Sequence, residues 1–160
     1  MTDQQAQRWS DEIALRVWCV GSASWLRRLG AWLGRDPGTF LPSAPARFVE
    51  VAAPDRGLSL QLHYPFWDRT AQADPERWLI SQVDLEAGRA PLPFGLDPAG
   101  ETPASARAKL SDDMEMFPQA RGASYFLEDH RVVMLTFGDG DVGLSRVRMT
   151  RLYGAVSLRT

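Results

Sequence analysis

The chain of 160 residues contains little cysteine, little histidine and almost no excess charge. Cys19 is the one cysteine, which excludes an internal disulfide and a cysteine-based zinc site. Two histidines, His63 and His130, leave little material for a metal centre, so we expect neither a metal nor a cofactor. The formal charge is −2, which argues against a dedicated nucleic-acid binder, because neutralising phosphates requires a cationic excess.

The sequence also lacks the patterns of a signal peptide and of a membrane span. Residues 1–8 are polar and of mixed charge, without an apolar stretch or a small-residue cleavage site. The most apolar region, residues 13–33, contains Arg16, Arg27 and Arg28, and arginine is costly inside lipid. We therefore expect a cytoplasmic protein without a membrane segment.

The hydrophobic content of 44% in a chain of this length predicts one domain, residues 1–160, with its own core. Ser10 precedes two acids and is interpreted as the start of a helix that runs to about residue 33. An apolar stripe at heptad spacing supports this helix and predicts core packing, with exposed indoles as the alternative. Its members are Leu15, Trp18, Trp25, Leu29 and Trp32. Gly21 weakens the interpretation, and a break near residues 21 and 22 stays open.

Alternating apolar residues predict two groups of three strands. Their expected bounds are 47–52, 58–67, 78–85, 123–127, 131–137 and 144–152. Between the groups, Thr102 and Pro103 predict a short helix to residue 110, and residues 111–118 a further turn or short helix. The prediction is an α+β fold, in which an antiparallel sheet of about six strands carries the N-terminal and central helices on one face.

No catalytic motif stands out in the sequence. There is no G-x-S-x-G elbow, phosphate-binding loop or H-E-x-x-H helix, and we predict that the protein is not an enzyme. The GDGDVG stretch at 138–143 lacks the further ligands of a calcium loop and is interpreted as a hairpin turn. A small enzyme remains an alternative if a deep pocket gathers His63 or His130 with a carboxylate.

Charge is unevenly distributed along the chain. Residues 97–141 hold nine acids against four bases, a local charge of −5. Most of these acids fall in or beside predicted turns, where solvated loops are one interpretation and a patch that docks a basic protein partner is the other. The candidate docking residues are Asp112, Asp113, Glu115, Glu128, Asp129, Asp139 and Asp141.

The stretch PLPFGLDPAGETPASARAKLS, residues 91–111, resembles a signature of small bacterial immunity proteins, including pyocin-type ones. In that signature an LPFGL crossing leads into a short capped helix, and Ser111 here stands where glycine is usual. The matching positions are residues 92–96, Thr102, Ala106 and Leu110. The same stretch is also similar to the helix that opens the BamE/BLIP-like fold, in which paired helices pack on an antiparallel sheet. The resemblance covers roughly the second half of this chain, residues 91–152.

The resemblance implies a protein that binds and neutralises a cognate antibacterial toxin or effector stoichiometrically, without catalysis. The toxin would act in the cytoplasm, belong to a type VI or related secretion system, and be encoded by the adjacent gene. The alternative is a secretion chaperone or adaptor, which an exposed tryptophan stripe or an exposed apolar strand at 58–67 would favour. The oligomeric state is left open.

Overall fold

The computed structural model describes residues 3–17, 20–21, 23–36, 48–63 and 78–151. Three helices lie in these ranges: α1 (Asp3–Leu15), α2 (Ala23–Leu33) and α3 (Pro103–Lys109). The strands are β1 (Val20–Gly21), β2 (Phe48–Ala53), β3 (Leu58–His63), β4 (Trp78–Glu86), β5 (Met114–Phe117), β6 (Gly122–Phe126), β7 (Arg131–Phe137) and β8 (Leu144–Arg151).

The strands form one antiparallel sheet in the order β2-β3-β4-β8-β7-β6-β5. The two-residue β1 pairs with the beginning of β4, ahead of the part that pairs with β8. The α+β prediction is confirmed, with seven strands in the continuous order instead of about six. The added strand is β5, where we expected a turn or short helix. Its four residues pair with β6 from Met114–Tyr125 to Phe117–Gly122, and this cross-strand pairing overrides the local turn tendency.

The single N-terminal helix predicted from Ser10 is wrong, since the chain forms two helices. The first already begins at Asp3 and ends at Leu15, and the buried Ser10 inside it donates its hydroxyl to the carbonyl of Pro91. Val17 then forms a parallel bridge to β4 before α2 begins. The break therefore lies near the Gly-Ser pair that the sequence left open.

The break divides the predicted apolar stripe. Trp25 and Leu29 are buried in the core and Trp32 is half-buried, whereas Leu15, at the end of α1, is 63% exposed. Trp18, the remaining predicted member of the stripe, lies outside the described residues. A heptad spacing keeps residues on one face only while a helix is continuous, and here it is not.

Polar and aromatic contacts hold the two helices together. Glu12 on α1 accepts from Arg16 at 3.2 Å and from Arg28 of α2 at 3.1 Å. Trp9 and Trp32 stack with their ring centroids 5.1 Å apart, and the Arg28 guanidinium lies 5.5 Å from the Trp9 ring. These contacts fix α2 against α1 beside the sheet.

The helices cover one face of the sheet, and that face is the core. Cross-strand register places the buried residues in rows, for example Leu60, Val83 and Met149. Leu29 of α2 and Ala106 of α3 are fully buried in the same cluster. We call the other side of the sheet the open face. Side chains on it include Ser59, Gln61, Gln82, Asp84, Glu115, Phe117, Ser124, Met134, Thr136, Arg146 and Arg148.

A buried carboxylate ties the crossing between β4 and β5 to α3. Glu101 is fully buried and accepts hydrogen bonds from Lys109 Nζ at 2.7 Å, from the Asp97 backbone N–H at 2.7 Å and from the Ser105 hydroxyl. Burial is the largest influence on its pKa and raises it, but these bonds and the Lys109 charge together outweigh burial. The pKa of Glu101 therefore lies below its ordinary value of 4.5.

The short helix begins as predicted. Thr102 caps α3 in a reciprocal capping box with Ser105, and Pro103 occupies the first helical position. Tyr125 of β6 donates its hydroxyl to the Pro103 carbonyl at 3.1 Å. Burial, with a smaller contribution from the Glu101 charge, raises the pKa of Tyr125. The cap and this contact anchor α3 over the β6 end of the core.

The crossing also docks on the turn between β7 and β8. The Gly143 N–H donates to the Glu101 carbonyl at 2.8 Å, and the Leu144 N–H donates to the Pro98 carbonyl at 2.9 Å. Gly143 has φ +73°, and a Cβ there would lie 3.0 Å from the Ala99 carbonyl oxygen. Close backbone approach and a left-handed conformation therefore both require glycine at this position.

Within the described ranges, none of the helices combines the length and the apolar character needed to cross a bilayer.

We predict that Glu101→Gln lowers the free energy of unfolding by about 2 kcal/mol at pH 7, because buried donors lose an ionised acceptor. A carboxyl with a depressed pKa stabilises the fold above its unfolded pKa and loses that effect as pH falls through the folded value. The difference from wild type should therefore shrink below pH 4.5 in urea unfolding followed by tryptophan fluorescence. The exposed Glu86→Gln, whose partner Arg89 lies at 3.3 Å, is the control and should change little. An equal loss in both variants would contradict the prediction.

A second pair of variants tests the docking of the crossing. Gly143→Ala and Gly140→Ala both place alanine at positive φ, +73° and +70°, but nothing lies within 4 Å of a Cβ at Gly140. We expect a loss of about 1 kcal/mol for Gly140→Ala from conformation alone. The loss for Gly143→Ala should be larger, about 2 to 3 kcal/mol, because its Cβ also meets backbone carbonyls. Equal melting temperatures of the two variants in calorimetry would show that the close backbone approach at Gly143 does not affect stability.

Candidate functional site

Four of the seven candidate acids lie at one end of the sheet. Asp112 and Asp113 precede β5, while Glu128 and Asp129 form the turn between β6 and β7. Because β5 and β6 are antiparallel, the start of β5 lies beside the end of β6, and the Phe126 N–H donates to the Asp113 carbonyl at 2.9 Å. The structure thus brings these four residues to a common end.

The remaining candidates are not part of that group. Asp139 and Asp141 lie in the turn that follows β7, at the opposite end of the sheet. The seven residues of β7 separate the two ends by about 23 Å. Glu115 lies between them, at the middle of β5 and on the open face. The candidate acids therefore form two groups linked by one edge residue, not a single continuous patch.

Arginines compensate three of the seven acids locally. Arg107 pairs with Asp112 at 2.8 Å and Arg131 with Asp129 at 2.5 Å, and Arg121 pairs with Asp139. Exposed pairs of this kind contribute little stability but reduce the local negative potential. The other four candidates have no basic partner among the described residues. They are Asp113, Glu115, Glu128 and Asp141.

Exposed apolar side chains lie on β5, on β7 and in the turn after β7. Met116 is 41% exposed, Phe117 37%, Met134 37% and Val142 50%, and among the described residues Leu15 is the one other large exposed hydrophobic. Sequence analysis missed this surface because residues 111–118 were not interpreted as a strand. The alternation in Met-Glu-Met-Phe was the available signal, but four residues are too few to establish a period.

The open face joins two of these apolar side chains, Phe117 and Met134, to the acidic edge. Cross-strand register places Glu115 opposite Ser124, which lies opposite Met134, and Phe117 opposite Gly122. Ser124 and Gly122 are small and buried, so the larger side chains beside them form the accessible surface. The β5–β7 part of the open face is therefore an apolar area with a carboxylate at its edge.

Farther along the same face, acids and arginines lie together on β4 and β8. Asp84 of β4 accepts from Arg148 at 2.8 Å and from Gln82 at 2.6 Å, and Arg146 lies 3.7 Å away. Glu86 lies opposite Arg146 on the same face, so two acids and two arginines lie together here. A groove of about 430 Å³ extends beside Arg146 between Ser59 and Thr136. The open face thus runs from a negative edge at β5 to a centre at β4 and β8 where acids and arginines balance.

A second cavity, of about 280 Å³, lies between α1, α2 and the β2–β3 turn. Trp32 forms one wall, with the Arg56 guanidinium 5.2 Å from its ring, and Arg89 and Asp55 line the rim. The described lining contains no histidine or cysteine, and the Ser10 hydroxyl is committed to a backbone carbonyl. The two basic groups and one acid of this cavity do not form an acid–base pair or an activated nucleophile.

The histidines do not gather into a catalytic group in the described residues. His130 lies exposed in the β6–β7 turn at φ +66°, away from both cavities. The His63 side chain and Cys19 lie outside the described residues. No described group of three His, Cys, Asp or Glu side chains is arranged to hold a metal ion. Glu101 is the one buried carboxylate among the described residues, and both of its oxygens accept hydrogen bonds from internal donors.

The chain matches no protein-family model and no curated protein. Among solved structures it is similar to a DUF4309 family protein (YjgB) from Bacillus subtilis. The two are 14% identical with a TM-score of 0.37, and the match covers 78% of this chain and 76% of that chain. These comparisons assign no ligand, partner or reaction to the fold.

Proposed function

We propose that this chain is an immunity protein that binds and neutralises a cognate antibacterial toxin or effector acting in the cytoplasm. The observation that carries the proposal is the exposed surface at the β5–β7 end of the sheet. There Phe117 and Met134 are accessible on the open face beside Glu115, a carboxylate without a basic partner in the described residues, and Met116 is accessible on the other face of the same edge strand. Protein interfaces combine apolar and aromatic anchors with a polar rim in this way.

The uncompensated acids support a basic partner surface. Asp113 and Glu128 lie at the same end of the sheet, and Glu115 lies on the adjoining edge. Complementary charge accelerates encounter and excludes partners of the wrong sign more than it adds affinity. A toxin with a basic catalytic domain, such as a nuclease, suits this distribution, and a type VI or related system would deliver it.

The resemblance of residues 91–111 to immunity proteins adds to the proposal. In that segment Leu92 and Leu96 are buried under the crossing and Thr102 caps α3, an arrangement compatible with the one the resemblance implies. The segment forms the support beneath β6, since Tyr125 bonds to the start of the helix. It therefore positions the β5–β7 surface instead of contacting the partner.

A secretion chaperone is less favoured by the described surfaces. That role would require the tryptophan stripe or the strand from residue 58 to be exposed and apolar. Trp25 and the β3 residues Leu58, Leu60 and Leu62 are instead buried in the core. Of the five large hydrophobic side chains that are exposed among the described residues, three lie on β5 and β7, and none belongs to α2 or β3.

The first test is co-expression with the product of the adjacent gene. We expect a stable complex of equal stoichiometry in size-exclusion chromatography, and rescue of growth when that product is expressed in the cytoplasm. Absence of both the complex and the rescue would overturn the immunity role. A complex without rescue, combined with loss of export of the partner, would favour the chaperone alternative.

The second test locates the interface by charge reversal. We expect the triple variant Asp113→Lys, Glu115→Lys and Glu128→Lys to slow association with that partner about tenfold at low salt. The control is Asp11→Lys, Glu50→Lys and Asp55→Lys. It changes the net charge equally, at exposed acids on α1, on β2 and in the turn after β2.

Stopped-flow association rates across a salt series measure the effect of both variants. The control should slow association much less than the triple variant, and the difference should fade at high salt. Equal rates for the two variants would contradict docking at the β5 end.

A further inference from the structure

Two residues of β5 direct their backbone N–H and C=O groups outward, away from the sheet. The bond from the Phe126 N–H to the Asp113 carbonyl identifies that pair as hydrogen-bonded. Antiparallel pairs alternate between hydrogen-bonded and non-hydrogen-bonded, so the backbones of Glu115 and Phe117 bond to β6. Those of Met114 and Met116 consequently direct their N–H and C=O groups away from the sheet.

The neighbouring strand pair gives the same assignment independently. The Leu127 N–H donates to Arg131 and the Phe137 N–H to Arg121, at 2.9 and 2.7 Å. These bonds show that the odd-numbered residues of β6 form their backbone hydrogen bonds with β7, and that the even-numbered residues form theirs with β5. Ser124, opposite Glu115, is even-numbered and agrees.

The outward edge of β5 is weakly protected. No other described strand pairs with it, and Glu115, Met116 and Phe117 are all exposed. Natural edges are blunted by short length, charged side chains, proline or a bulge. β5 is short and carries Glu115, but it contains no lysine, proline or bulge. Met116 and Phe117 expose apolar surface on opposite faces of the same strand, and an added strand would direct its side chains alternately to these two faces.

Charge selects the kind of strand that fits. Residues 112–117 contain three acids and no base. A second copy of this chain, paired antiparallel through β5, would bring Glu115 and Asp113 of the two copies close together, which is unfavourable. A basic segment of another protein meets no such repulsion, and Asp113 and Glu115 have no basic partner among the described residues.

We propose that β5 binds an extended segment of the partner protein as an added strand, with basic and apolar side chains alternating along it. The basic side chains lie beside Glu115 on the open face, and the apolar ones beside Met114 and Met116 on the helix-covered side. This inference deepens the proposed function, because it names the mode by which the toxin is recognised.

A proline substitution isolates the contribution of the β5 backbone to binding of an added strand. Met116→Pro removes an outward N–H and leaves the bonds to β6 intact, and proline is tolerated at edge positions of this kind. Glu115 before it is already extended, as a residue preceding proline prefers. Met116→Ala is the matched control, because it loses the same side chain and keeps the donor.

The probe is the synthetic peptide Val-Lys-Val-Lys-Val-Lys, titrated into the full ¹⁵N-labelled chain. We expect saturable amide shifts at residues 112–117, with affinity about tenfold lower for Met116→Pro than for Met116→Ala. Thermal unfolding checks that both variants are folded. The peptide Val-Glu-Val-Glu-Val-Glu should leave the edge unshifted. Shifts elsewhere, no binding at about 1 mM peptide, or equal affinity of the two variants would overturn the proposal.

The same variants separate this inference from the immunity role. If the adjacent gene's product binds wild type and Met116→Pro equally, strand addition is wrong and the immunity role stands. If that product forms no complex while the basic peptide binds at β5, the edge is a strand-binding site and the immunity role fails.

Discussion

The pairing of β4 with β8 is the constraint on which the rest of the architecture depends. It joins two meanders, β2-β3-β4 and β5-β6-β7-β8, through the register from Val83–Met149 to Glu86–Arg146. Because β8 occupies this position, the strand that follows β4 in the described chain cannot pair with it. The chain must instead travel over β8, β7 and β6, about 19 Å at ordinary strand spacing, before β5 begins. The exposed edge at β5 is thus a consequence of a pairing made at the centre of the sheet.

The long crossing is stabilised by groups that also set the position of α3. Glu101 satisfies donors from three places on the chain, and its backbone carbonyl accepts from Gly143. A segment of this length without its own strand pairing has few other ways to satisfy its polar groups. One buried carboxylate therefore connects the geometry of the crossing to that of the β5–β7 surface, although it lies on the opposite face from Met134.

Elements with many regular residues were predictable from the sequence. The alternation in β7 fixed Arg131–Phe137 at both ends, and Thr102 with Pro103 located the start of α3. The sequence predicted one helix where α1 and α2 form, because the heptad spacing of the tryptophans is typical of a continuous helix, and Gly21 left only the possibility of a break. β5 was missed because Met-Glu-Met-Phe is stabilised by its partner strand and not by its own propensity. The division of the acids between two ends depends on strand order, which local patterns do not encode.

The central place of β8 affects how the chain folds during synthesis. It is the last strand in the described part of the chain, yet it lies between β4 and β7. The edge of β7, and the edge of β4 along residues 83–86, have no partner strand until residues 144–151 are available. Until then nothing joins β2-β3-β4 to β5-β6-β7, and unpaired strand edges favour misassembly. The final step joins contacts distant in sequence, so we expect it to be slow and to set the period in which the newly made protein depends on chaperones.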